Sequence, residues 1–189
     1  MAYAQLSLSH GEDPAAFLVE ALSAVERGLK LRPGDADLLA HEAELRLVGA
    51  RFFHLLRRPI DPELRRIQAA LAASLRTNPQ RSDTHVVLAR SLLLQAETST
   101  GAASHAVLAR GLEATGKALT IAPGAPVALL LHGQLLLAQA ERARHADRAS
   151  AAQPALVALT NAVRSNPLLR AEAQPAIDRA RALTQSGLH

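Results

Sequence analysis

The sequence predicts an all-α fold built as a stack of antiparallel helical hairpins, and three observations lead there. Hydrophobic residues make up 49% of the chain but aromatics only 2%, so the apolar content is almost entirely Ala, Leu and Val. Ala and Leu are strong helix formers, whereas the β-branched and aromatic residues that favour strands are scarce. Four prolines, Pro33, Pro79, Pro123 and Pro167, punctuate the chain at spacings of 46, 44 and 44 residues. In front of each proline stands the same arrangement of small and aliphatic residues, the mark of an internal repeat.

The elements come in order from that register. Segments 21–29, 67–75, 111–119 and 155–163 align as the last turns of a helix. Four positions before each proline is an aliphatic residue (Leu29, Leu75, Leu119, Val163), and five before is a small one (Gly28, Ser74, Ala118, Ala162). Small residues let two helices approach closely, and the aliphatic beside them fills the groove toward the next helix. Proline cannot continue a helix and disfavours helical geometry in its predecessor. Asn78 and Asn166 add turn chemistry in front of their prolines, and Gly34 and Gly124 loosen the position after theirs. New helices are expected from near Asp35, Ser82 and Ala125, each with a small residue ten positions past its proline (Ala43, Ala89, Gly133). Between the two helices of each hairpin fall polar tips: residues 10–14, 57–62, 99–101 and 145–147. Asp13-Pro14 and Asp61-Pro62 read as an N-cap followed by proline in the first turn. The final segment, 168–189, reads as a capping helix over Ala171–Leu183 with Ala173, Ile177, Ala180 and Leu183 on one face. About seven long helices are expected, with a short one over Ala2–Ser9. That short helix is either the tail of a truncated hairpin in a longer array or a natural cap.

These residues resemble the tetratricopeptide repeat, a helix pair with small residues at its tight crossings and a proline between repeats. The resemblance covers nearly the whole chain and implies a single domain over 1–189, folded as a right-handed α-solenoid. The chain departs from the family in period, which is longer by about ten residues than the usual ~34. It also lacks the signature aromatics: Leu39, His85 and Leu129 stand where a Trp is expected. Such elongated repeats are similar to those behind the kinase domain in some bacterial serine/threonine protein kinases, although no Gly-rich loop, His-Arg-Asp or Asp-Phe-Gly is present here.

Composition bounds the chemistry. With no cysteine, disulfides, thiolate catalysis and Cys-based zinc sites are excluded. The N-terminus lacks the charged start and apolar run of a signal peptide, and the most apolar stretch, 127–138, is too short to span a bilayer. A cytoplasmic location is expected. Net charge is +4, supplied almost wholly by Arg. Gly111–Ala118 nearly matches a phosphate-binding loop, but Ala118 replaces the Ser/Thr that would hold magnesium and no strand precedes it. None of the eight histidines forms an i, i+4 pair, and His10 with Glu12 and Asp13 is better read as a solvated loop than as a metal site. No catalytic constellation is visible, so neither an enzyme nor a cofactor is expected.

The expected function is protein–protein interaction. In the tetratricopeptide pattern the first helix of each hairpin lines a concave groove. Carried onto this chain, the groove positions are Asp37, Ala40, Glu44 and Leu47, then Asp83, Val86, Arg90 and Leu93, then Val127, Leu130, Gln134 and Leu137. Glu44, Arg90 and Gln134 would form a polar row, and Ala40, Val86 and Leu130 an apolar one. Helices apolar on most sides must be buried on more than one face. A peptide or protein partner, a second copy of the chain, or the chain's own last helix should therefore cover that groove. Arg51, Arg57, Arg58, Arg65 and Arg66 cluster at one hairpin tip. A solvated tip is the plainer reading, with an acidic protein, a phosphate or nucleic acid as its alternatives; nucleic acid is disfavoured because interleaved aromatics are few.

Overall fold

The computed structural model describes residues 14–186. Among them all regular structure is helical: α1 (Ala15–Leu31), α2 (Ala36–Leu55), α3 (Asp61–Thr77), α4 (Ser82–Thr98), α5 (Gly101–Ile121), α6 (Pro126–Glu141), α7 (Arg148–Ser165) and α8 (Arg170–Ser186), with 3₁₀ turns at His145–Asp147 and Pro167–Leu169. The all-α expectation holds, with eight long helices among the described residues rather than about seven. The expected short helix over Ala2–Ser9, the Asp13 cap and the residues His10 and Glu12 lie outside the described residues. No helix among the described residues is long and apolar enough to cross a membrane.

The chain forms two compact units, Met1–Val87 and Leu88–His189. In the first, α1 packs on α2 and α2 on α3. In the second, α5 packs on α6, α6 on α7 and α7 on α8, and α8 also reaches back to α6. Within each of these two runs, neighbours in sequence are neighbours in space, as short connections between helices require.

The four prolines close their helices in the same way. The residue before each donates its backbone N–H to the carbonyl of the small residue four positions earlier: Arg32 to Gly28 at 2.9 Å, Asn78 to Ser74 at 2.8 Å, Ala122 to Ala118 at 2.9 Å and Asn166 to Ala162 at 2.9 Å. The turn beyond each proline depends on local chemistry. At Pro33 and Pro123 a glycine comes next with positive φ (Gly34 +82°, Gly124 +80°), and the chain closes a turn through Asp35 N–H to Arg32 C=O and Ala125 N–H to Ala122 C=O, both 3.2 Å. Proline at the second position and left-handed glycine at the third is the type II pattern. At Pro79 and Pro167 an asparagine precedes instead. Its Oδ1 accepts from the backbone N–H two residues on, Gln80 at 3.2 Å and Leu168 at 3.1 Å. An Asx turn replaces the glycine turn.

The small positions are close approaches. A Cβ on Gly28 would come within 2.9 Å of Leu38 Cδ1, and one on Gly133 within 2.6 Å of Leu159 Cγ. Ser74, fully buried, donates its Oγ–H to Ala36 C=O at 2.8 Å, which satisfies the hydroxyl without water. Ala118, Ala162, Ala43 and Ala89 have no exposure at all. The second unit's core gathers Leu130, Leu137, Leu159 and Ala162 against Ala173, Ala176, Ile177 and Ala180 of α8. The capping face read from the sequence is therefore the buried one.

Two helix ends differ from expectation. At α3 the N-cap is Ile60, buried and without a side-chain cap, while Asp61 is already helical and Pro62 follows it. Asp61 and Glu63 in that first turn still favour the helix through its dipole. At the C-terminus of α2, Arg57 sits at φ +56°. Arg57 N–H bonds His54 C=O at 2.9 Å and Arg58 N–H bonds Phe53 C=O at 2.8 Å. That is a Schellman motif with arginine where glycine is usual.

Candidate functional site

The expected groove positions are distributed unevenly. In the first unit Asp37 is exposed and paired with Arg81, Glu44 is half-buried, and Ala40 and Leu47 are buried at 5% and 2% exposure. On α4, Asp83 is exposed while Val86, Arg90 and Leu93 are half-buried. On α6, Val127 is exposed and Gln134 half-buried, but Leu130 and Leu137 belong to the core beneath α8. In the second unit α8 thus packs over Leu130, the one residue of the expected apolar row that lies there, and over Leu137. Leu130, Leu137, Ala40 and Leu47 serve packing and present no surface to a partner in this arrangement.

Of the basic residues, Arg57 and Arg58 lie in the α2–α3 connection, Arg51 in the last turns of α2 and Arg65 and Arg66 in the first turns of α3. All five are exposed. Arg66 pairs with Glu63 Oε1 at 2.7 Å, and Glu63 Oε2 lies 3.5 Å from Arg46, which also holds Glu42 at 2.8 Å. Arg51, Arg57, Arg58 and Arg65 make no ion pair among the described residues. Glu42 and Glu63 are taken and Asp61 is the one other carboxylate of the tip, so the four exposed guanidinium groups stand in excess.

Beside this tip lies a feature that sequence reasoning missed. An open apolar groove of about 390 Å³ runs between α1 and α2. Leu18, Val19 and Leu22 form one wall and Leu45, Gly49, Phe52, Phe53 and Leu56 the other, with Arg58 and Glu63 at its edge. These residues recur at helical spacing on both helices, so two apolar stripes face a common space. Leu18 and Leu45 are buried at its floor, whereas Val19 is 70% and Leu56 49% exposed. The Phe52 and Phe53 rings stand 6.5 Å apart, tilted by 40°. One signal pointed here: two of the chain's three phenylalanines, Phe52 and Phe53, are adjacent in sequence and both line the groove. Aromatic area concentrated in one place is characteristic of binding surfaces.

The other candidates resolve into structure. Gly111–Ala118 lies inside the continuous helix α5, where backbone N–H groups are committed to the helix rather than free to cradle phosphate. Gly111 is there for packing, since a Cβ would stand 2.7 Å from Leu135 Cδ2. His85 is buried and its Nε2 lies 3.0 Å from Pro79 C=O. His132 Nδ1 lies 2.7 Å from Thr115 Oγ1, and burial holds this imidazole below its ordinary value. No three His, Asp or Glu side chains converge among the described residues. Compared with protein families, with curated proteins and with solved structures, the chain matches none of them.

Proposed function

We propose that this chain is a protein-interaction module, a tetratricopeptide-like solenoid of long hairpins that holds a segment of another protein. The single observation that carries this reading is the groove between α1 and α2. Exposed apolar surface in one concave place is costly in water and marks a surface that another molecule covers. The four matching helix closures, and the packing of α1 on α2, α2 on α3, α5 on α6, α6 on α7 and α7 on α8, support the repeat architecture. The tip arginines supply orientation, faster encounter and a modest share of the affinity.

The test places a photo-cross-linking residue at Val19, in the groove wall, and a control at Val157, which is 50% exposed on α7. A polypeptide cross-linked from Val19, absent from Val157 and lost on Gly49→Leu supports the reading. Gly49 lines the groove and a Cβ there meets only Leu18 Cδ1, at 3.4 Å; an unchanged far-UV circular dichroism spectrum and urea midpoint check that the variant still folds. Equal labelling from both sites would refute it. The same groove can also seat a second copy of the chain. Light scattering separates that case: a dimer that Gly49→Leu dissolves would assign the groove to self-association.

A further inference from the structure

We infer that the segment this groove takes is an amphipathic α-helix of another protein, with carboxylates flanking its apolar stripe. The inference rests on the protein-binding reading above and adds the shape and charge of the occupant. Shape comes first. From Leu45 to Leu56 the α2 wall advances by eleven residues, about 16 Å at 1.5 Å per residue, or three helical turns. Both walls are helices, so the occupant meets ridges and no strand edge. An extended segment would bring unpaired N–H and C=O groups against Leu, Val and Phe, a burial that costs several kcal/mol in general. A helix satisfies its own backbone and offers apolar residues at i, i+3, i+4 and i+7 to two such ridges.

Charge fixes the rest. Arg58 sits at the groove edge, and Arg51, Arg57 and Arg65 lie exposed nearby with no ion pair among the described residues. Glu42 and Glu63 are already held by Arg46 and Arg66. Asp61 offsets only one of these four arginines, so an occupant with lysines beside its stripe would meet excess like charge, and one with glutamates would meet free donors. An anionic lipid surface shares this charge. It fits less well because the apolar side chains line a concavity between helices and do not project together from one convex face.

The experiment uses the full chain and three labelled, stapled helical peptides of about five turns. They share one Leu/Phe stripe and carry Glu, Gln or Lys beside it. Fluorescence anisotropy is expected to show the Glu peptide binding roughly tenfold tighter than the Gln peptide, as two exposed ion pairs allow. The Lys peptide should be weaker still. Arg51→Glu with Arg58→Glu, both exposed positions, should invert that order with helicity unchanged. Gly49→Leu should abolish all binding. Equal affinity for Glu and Gln peptides would overturn the charge assignment alone. No binding by any peptide, with Val19 cross-linking intact, would overturn the helical occupant while the protein-binding reading stood. Binding to phosphatidylglycerol vesicles in preference to the Glu peptide would overturn it in favour of a membrane.

Discussion

Gly133→Ala separates packing from propensity in this fold. In an isolated helix, replacing glycine by alanine stabilises by about 1 kcal/mol. At position 133 the new Cβ would stand 2.6 Å from Leu159 Cγ, 2.9 Å from Leu159 Cδ2 and 3.0 Å from the Leu159 backbone nitrogen. Leu159 has no exposure and is locked in the core of the second unit, so it cannot swing aside. The backbone contact means that α6 and α7 must move apart. Overpacking of this kind costs ~1–3 kcal/mol, and the upper half of that range applies where backbone is struck. Subtracting the propensity gain leaves a net loss of about 1–2 kcal/mol. Gly116 on α5 is the control: nothing lies within 4 Å of its added Cβ. Gly116→Ala should therefore stabilise by about 1 kcal/mol. Both sites lie in the second unit, so urea unfolding followed by circular dichroism reads them on the same transition. Midpoints should move in opposite directions at unchanged slope. Shifts of the same sign and size would refute the close α6–α7 crossing.

Three further outcomes rest on single residues. Arg57 holds a left-handed conformation that glycine adopts without strain, so Arg57→Gly should raise stability in urea by about 1 kcal/mol. Arg142 donates from Nη1 to Ala138 C=O at 2.8 Å and from Nη2 to Ala96 C=O at 3.1 Å, tying the ends of α6 and α4 within the second unit. Arg142→Ala should cost about 2 kcal/mol by the same assay, and lysine should recover only part of it because it lacks the planar fork. Burial lowers the His132 pKa below its ordinary 6.5, so the folded state binds fewer protons than the unfolded state. The stability this gives is present above pH 6.5 and is lost as pH falls from there through the lowered folded value. His132→Gln should flatten that loss in urea midpoints taken across the same pH window.

The helices were legible because their signals are local. Pro33, Pro79, Pro123 and Pro167 each follow a helix end, whereas Pro154 and Pro175 stand inside α7 and α8, so it is proline together with a small residue five positions earlier, needed where helices cross, that marks the boundary. Gly28, Ser74, Ala118 and Ala162 do meet that need, and their carbonyls accept the closing bonds. The cap at Asp61 was misplaced by one residue because proline is tolerated at the second helical position as well as the first. Arg57 could not be foreseen: nothing in its side chain favours positive φ. It is held there by Arg58 N–H bonding to Phe53 and by its own N–H bonding to His54.

The groove was illegible for a different reason. A binding surface is defined by what fails to cover it, and sequence periodicity records only that a face is apolar. Leu130 on α6 and Val19 on α1 look alike in the sequence, each in an apolar helical stripe. One is 2% exposed beneath α8 and the other 70% exposed beside the groove. The difference lies in the helix each faces, which is a property of the packing and not of the stripe. The aromatics carried more information than the repeat register. Phe52 and Phe53 line the groove half-buried beside exposed Val19 and Leu56, an arrangement that packing within the chain leaves unfinished and a partner would complete.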